Sequence, residues 1–263
     1  MIVAMYQMNI VPGDPEANKE KVEKWVETIC HSNEKPDILV LPEMWTTAYT
    51  LSELNVLLKA EGDEIEDFLS QLAKTYEVNM VAGSIAKREK STIFNRALVY
   101  NRKGELVYKY DKIHLVPMLD EHLFLTGGQE KVTTFELDGH KMGAVICYDL
   151  RFPELARQLA LEGAEVLFIL AEWPEARATH WEILQQARAI ENQFYTVSCN
   201  RVGTYDGVEF AGRSMMTNPW GEVLAKGSQS AEESVVASLD LSQVEKIRED
   251  VPVFKSRVPH LYK

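Results

Sequence analysis

The chain has 263 residues, 46% of them hydrophobic, and a net charge of −12. Such a chain can bury a sizeable core in one domain, 1–263; it lacks the basic balance that a nucleic-acid surface or an anionic membrane partner needs. Three cysteines without CxxC spacing, Cys30, Cys147 and Cys199, give no disulfide framework and point to a reducing, cytoplasmic setting.

The N-terminus has no basic segment ahead of a long apolar run, so residues 2–10 read as a strand rather than a signal peptide. No apolar run approaches the roughly 18–20 residues of a membrane span. Residues 14–34 carry Val22, Trp25, Val26 and Ile29 at helical spacing. Pro36-Asp37 breaks that helix, and Ile38-Leu39-Val40-Leu41 is a short buried strand. A second helix is expected over 63–77, capped by Asp63, with Ile65, Phe68, Leu69 and Leu72 inward. Residues 80–85 form a strand with a small-residue break.

Strands at 93–100 and 105–110 flank Asn101-Arg102-Lys103-Gly104, a hairpin turn. Residues 111–131 form a long polar loop, and long loops in compact domains tend to be functional. Strands at 132–137 and 140–147 meet at Asp138-Gly139. Helix 153–162, strand 166–170, helix 179–192 and strand 194–199 then alternate. Strands 210–217 and 222–225 meet at Asn218-Pro219-Trp220-Gly221. Strand 234–239, a short helix from Asp240 and an apolar tail close the chain. Helices alternating with strands at both ends, around central hairpins, imply a layered α/β sandwich of mixed sheets.

Three segments deliver a reactive group just after an apolar strand: Glu43 after Ile38–Pro42, Lys112 after Leu106–Asp111, and Cys147 after Gly143–Ile146. Ligand crevices form at strand ends in α/β sheets. Taken singly, each has a plainer reading. A lone cysteine after an apolar run is usually core, Glu43 after a proline is usually a solvated turn residue, and Lys112 beside Lys109 and Asp111 is usually charged surface. The combination carries the argument.

Leu41-Pro42-Glu43-Met44, Tyr110-Asp111-Lys112-Ile113-His114-Leu115 and Ile146-Cys147-Tyr148-Asp149-Leu150-Arg151-Phe152-Pro153-Glu154 resemble, in order and spacing, the three signature segments of the nitrilase superfamily of carbon–nitrogen hydrolases. The resemblance runs over nearly the whole chain. It implies an α/β fold of the four-layer αββα sandwich type and a Glu–Lys–Cys triad at Glu43, Lys112 and Cys147. The chemistry agrees. A thiol attacks an amide carbonyl to form a thioester. A carboxylate takes the thiol proton, passes it to departing ammonia and later activates water. An ammonium and the backbone N–H of Tyr148 hold the developing oxyanion. The resemblance also places a second glutamate, Glu121, near the triad; its plainer reading is a solvated loop carboxylate.

Trp173-Pro174…Arg177, His180-Trp181, Ala187-Arg188-Ala189-Ile190-Glu191-Asn192 and Asn200-Arg201-Val202-Gly203 are similar to the omega-amidase branch, which cleaves the terminal amide of short dicarboxylate monoamides such as 2-oxoglutaramate. The resemblance implies a cation for the far carboxylate. Arg151, Arg177, Arg188 and Arg201 are candidates, each with a structural alternative: Arg151 lies near Asp149 and Glu154, Arg188 near Glu191. Trp45, Tyr49, Phe124 and Trp173 are candidate pocket walls, although buried aromatics are more often plain core.

His114, Asp120, Glu121 and His122 resemble a metal set only in composition; they share no regular element, and thiol chemistry needs no metal. No metal and no cofactor is expected. The expected partners are a small amide substrate and further copies of the chain, a homodimer or larger, since the resemblance implies two sandwiches paired through C-terminal segments. Competing readings are a nitrilase, an N-carbamoyl amino acid hydrolase, and a catalytically silent scaffold of the same fold.

Overall fold

A computed structural model of the chain describes residues 1–58 and 64–262. In chain order the elements are β1 (Ile2–Gln7), α1 (Pro15–Cys30), β2 (Ile38–Val40), a single turn α2 (Leu54–Leu57), α3 (Glu64–Thr75), β3 (Asn79–Glu89), β4 (Thr92–Tyr100) and β5 (Leu106–Asp111). Then follow β6 (Phe135–Leu137), β7 (His140–Ile146), α4 (Pro153–Leu161), β8 (Val166–Ala171), α5 (Ala178–Asn192) and β9 (Tyr195–Asn200). A small ribbon of β10 (Thr204–Tyr205) and β11 (Val208–Glu209) precedes β12 (Met215–Thr217), β13 (Val223–Lys226), β14 (Glu233–Ser238) and α6 (Ser242–Asp250).

Two six-stranded sheets share one plan. The first runs β14-β1-β2-β3-β4-β5 and the second β13-β12-β9-β8-β7-β6. Each has three parallel strands at its centre, β1-β2-β3 and β7-β8-β9, flanked by antiparallel neighbours. Strand alternation separates the layers. Val3 and Met5 of β1 enter the core between the sheets, while Ala4 and Tyr6 join the cluster under α1 and α3 with Val22, Trp25, Val26, Leu69 and Leu72. On the second sheet, Leu159 of α4 and Trp181 of α5 pack into the core shared with β7 and β8. The central parallel strands are buried on both faces, which is why they read as largely continuous apolar runs rather than alternating ones. The result is the four-layer αββα sandwich.

The element limits differ from expectation where local contacts intervene. β1 stops at Gln7, because Asn9 leaves the sheet to bridge Val202. The first helix ends at Cys30, and His31 closes it through its N–H to the Glu27 and Ile29 carbonyls. Of the strand expected over 210–217, only Met215–Thr217 pairs as one. The N–H groups of Ala211, Gly212 and Arg213 go instead to the carbonyls of Trp173, Arg201 and Ser228. The strand expected from 132 begins at Phe135. Asp63, the expected cap, lies outside the described residues.

The break in β3 matters most for the site. Gly83 has φ +64°, and a Cβ there would stand 2.1 Å from the Pro42 carbonyl oxygen. Only glycine permits that approach. The pairing of β3 with β4 shifts between Val81 and Ser84, and the freed groups bind the segment after β2. The Ser84 N–H donates to Pro42 O at 3.2 Å, the Trp45 N–H to Ser84 O at 3.2 Å, and the Met44 N–H to Ser84 Oγ at 3.0 Å. Glu43 is fixed between these anchors.

Candidate active site

Glu43, Lys112 and Cys147 converge. Glu43 and Lys112 have no solvent exposure and Cys147 only 5%. Lys112 Nζ donates to Glu43 Oε1 at 2.9 Å and to Glu121 Oε1 at 2.8 Å, and lies 3.0 Å from the Tyr49 hydroxyl. That hydroxyl is 2.7 Å from Glu43 Oε1 and also contacts Glu121 Oε1. Tyr49 has one proton for two carboxylate oxygens, so it bridges them. Asn95 Nδ2 donates to Glu43 Oε1 at 2.8 Å, and the Glu172 N–H to Glu43 Oε2 at 2.8 Å. The Val116 N–H holds Glu121 Oε2 at 2.7 Å. The loop glutamate is thus fully buried, not solvated.

The electrostatics follow from burial and these partners. Burial alone pulls the Lys112 ammonium down, but Glu43 and Glu121 outweigh it and hold it above the ordinary lysine range. Burial, then the negative charge of Glu43, pushes the Cys147 thiol well above its ordinary range, against the pull of Lys112. The negative charge of Glu43 acts directly on the thiol, so the proton starts near a base. Burial, with Glu121 and Glu43, raises Tyr49 well above its usual value and keeps its hydroxyl a donor.

Cys147 occupies the left-handed region at φ 47°, which costs a non-glycine residue of order 1–3 kcal/mol. Asp149 braces that turn. Its carboxylate accepts from the Ile146 N–H at 3.2 Å, the His114 N–H at 3.0 Å and the Tyr110 hydroxyl at 2.8 Å, with His114 Nδ1 at 2.8 Å. The His114 ring stacks on Phe152, centroids 3.5 Å apart. Arg188 reaches from α5 to the Leu150 carbonyl at 2.9 Å and pairs with Glu191 at 2.9 Å. Tyr148 stands in the first turn of the 3₁₀ helix that begins at Cys147, ahead of the first intrahelical bond, where N–H groups await an outside acceptor.

Cys147 opens into a cavity of about 340 Å³, a size that suits a small molecule. Tyr49, Phe124, Tyr148, Arg151, Trp173 and Arg177 line it. The Arg151 guanidinium lies over the Trp173 ring, 4.6 Å from its centroid. Trp45 is a correction to the expected wall. It is fully buried under α3 against Phe68 and donates to the Ala82 carbonyl at 3.0 Å; the β3 break draws it into the core, away from the cavity. Arg201 is fully buried and binds Glu172 Oε2 at 2.8 Å. Cys199 is fully buried, its thiol held to the carbonyls of Tyr6 and Val40. Among the described residues no three His, Cys, Asp or Glu side chains group as metal ligands would, and no helix is long and apolar enough to cross a membrane.

Two site residues escaped the sequence reading. Asn95 shows only as a polar residue beside Arg96 in a largely apolar strand. Glu172 stands directly after β8, the same strand-end position that singled out the triad, and that was its signal. Burial pushes its carboxyl up to about 8, against the pull of Arg201.

A thiol near a buried carboxylate and a buried ammonium, at the first turn of a helix, can transfer an acyl group. The comparisons with known proteins agree with that chemistry. The carbon-nitrogen hydrolase family profile matches residues 2–249. A protein of Bacillus subtilis (strain 168) named 2-oxoglutaramate amidase is 42% identical over 261 residues, 99% of this chain and 98% of its own. An omega-amidase of Escherichia coli (strain K12) is 33% identical over 255 residues, 96% of this chain and 95% of its own. The crystal structure of a carbon-nitrogen hydrolase from Helicobacter pylori G27 superposes with a TM-score of 0.92 at 26% identity, covering 100% of this chain and 96% of that one. The chain therefore belongs to the carbon–nitrogen hydrolase family.

Proposed function

We propose that this protein is a thiol amidase that cleaves the terminal amide of a short dicarboxylate monoamide, 2-oxoglutaramate or a close analogue, to the acid and ammonia. The observation that carries the reading is the convergence of Cys147 with the buried, hydrogen-bonded Glu43–Lys112 pair, beside a cavity that also holds Arg151 and Arg177. Cys147 attacks the amide carbon as its proton passes to Glu43. Lys112 and the Tyr148 N–H bear the oxyanion. Glu43 then protonates the nitrogen, the carbon–nitrogen bond breaks and ammonia leaves. Water, deprotonated by Glu43, opens the thioester. Glu121 and Tyr49 hold Lys112 and Glu43 in register. Phe124 and Trp173 wall the pocket.

Arg151 and Arg177 grip the far carboxylate, which fixes the amide over the thiol. The activity named for the Bacillus relative supports this choice. The test is ammonia release from 2-oxoglutaramate, its carboxyl ester and a nitrile of similar length. The acid should exceed the ester by roughly 10² in kcat/KM, because the ester leaves the arginines unpaired. Equal rates on acid and ester would remove the carboxylate clamp, and a faster nitrile would make the protein a nitrilase.

The reading treats 1–263 as one domain working without metal or cofactor in the cytoplasm, where three free cysteines persist. It includes a homodimer or larger assembly. Ile183 and Ile190, two turns apart on α5, and Trp220 beside them are each more than half exposed, as are Leu261 and Tyr262 of the tail. Apolar surface of that kind is commonly covered by a partner.

A further inference from the structure

Among the described residues, Glu172 is the one buried acid lining the cavity that the mechanism above leaves unused. It is 3% exposed and lines the same cavity as Cys147. One of its oxygens, Oε2, is taken by Arg201 Nη1 at 2.8 Å. Arg201 is itself locked by the carbonyls of Val202 and Ile10 and lies over the Phe210 ring. The other oxygen, Oε1, is buried and has no hydrogen-bond partner. An orphaned carboxylate oxygen is costly and calls for an explanation.

Its place narrows the use. In parallel β7 and β8, Ile146 pairs with Leu170, so Cys147 and Glu172 leave adjacent strands almost side by side. The backbone N–H of Glu172 holds Glu43 Oε2 at 2.8 Å. The substrate nitrogen must come within reach of Glu43 to receive its proton. It therefore arrives beside Glu172, carrying N–H groups in need of acceptors.

We propose, resting on the amidase reading, that Glu172 is a specificity-determining residue whose Oε1 accepts a hydrogen bond from the substrate –NH₂. In the tetrahedral intermediate the nitrogen has two N–H bonds and one lone pair. An N–H held by Oε1 turns the lone pair toward Glu43, which delivers the thiol proton before the carbon–nitrogen bond breaks. Arg201 at Oε2 pulls against the burial that raises the carboxyl to about 8, and the ionised form, which can only accept, is the one that takes the substrate N–H. The site thereby reads the leaving nitrogen of an unsubstituted amide, while the arginines read the other end of the molecule.

The experiment compares two substrates of one acyl group, 2-oxoglutaramate and the corresponding ω-methyl ester, whose leaving group has no N–H. Ammonia and methanol release are measured for wild type and Glu172→Gln, which keeps an oxygen for Arg201 and places an NH₂ where Oε1 stood. Glu172→Asp serves as the second variant; it retains the charge for Arg201 and withdraws the free oxygen by one methylene. Loss of a hydrogen bond to a charged group should lower kcat/KM on the amide by about 10–10², with the ester changed by less than about threefold. Ester turnover also reports that each variant is folded. Amide and ester falling together in both variants, or neither falling, would overturn the role of Glu172. A wild type that releases methanol but no ammonia would overturn the amidase reading and this inference with it.

Discussion

Lys112→Met removes one charge from the centre of the site and keeps its length. In the native protein the ammonium donates to Glu43 at 2.9 Å and Glu121 at 2.8 Å, with all three side chains fully buried. The variant leaves two buried carboxylates without their shared cation. Removing one partner of a buried pair costs about 3–5 kcal/mol. At roughly 2–4 °C per kcal/mol for a chain of this size, the melting temperature should fall by about 6–20 °C. Lys112 is held above the ordinary lysine value of 10.5, so its contribution is fully present below that pH and is lost only as pH rises through the higher folded value. The gap between wild type and variant should accordingly stay level from about pH 6 to about pH 9 on the lysine's account. Activity should fall by at least about 10²–10³, the usual loss for one oxyanion donor. Scanning calorimetry and ammonia release read both effects. A shift under about 2 °C with a loss under tenfold would show that Lys112 is peripheral, and the electrostatic account of the site would fail.

Tyr49→Phe deletes only the oxygen that bridges Glu43 and Glu121; we expect about a 10–10² loss in kcat with KM changed little, and an unchanged kcat would show that the bridge is idle. The apolar faces of α5 and the tail predict a dimer or larger in light scattering at micromolar concentration; a mass of one 29.9 kDa chain would refute it.

The strand-end groups were legible because each is announced locally, by an apolar run, a turn and a reactive side chain within ten residues. The sandwich was legible for a similar reason: helices and buried strands alternate where the sheets are parallel, and Gly or Asp-Gly turns mark the hairpins. What the local pattern does not carry is convergence. Tyr49 reads as a pocket wall, yet its hydroxyl ties together carboxylates that stand 78 positions apart in the chain, at 43 and 121. Trp45 reads the same way and is core, because a shift in β3, forty residues on, decides which way its segment turns. The stretch 210–213 runs straight into β12 in sequence, but its N–H groups go to the carbonyls of Gly203, Trp173, Arg201 and Ser228. Arg151 sits near acids in sequence and over Trp173 in space.

The central claim is that Cys147 carries the acyl group. Wild-type protein quenched in acid during turnover of 2-oxoglutaramate, then digested and weighed by mass spectrometry, tests it directly. The account predicts an acyl adduct on the peptide containing Cys147, retained in Cys199→Ala and absent from an inactive, folded Cys147→Ala. An adduct on Cys199, or ammonia still released by Cys147→Ala, would contradict it.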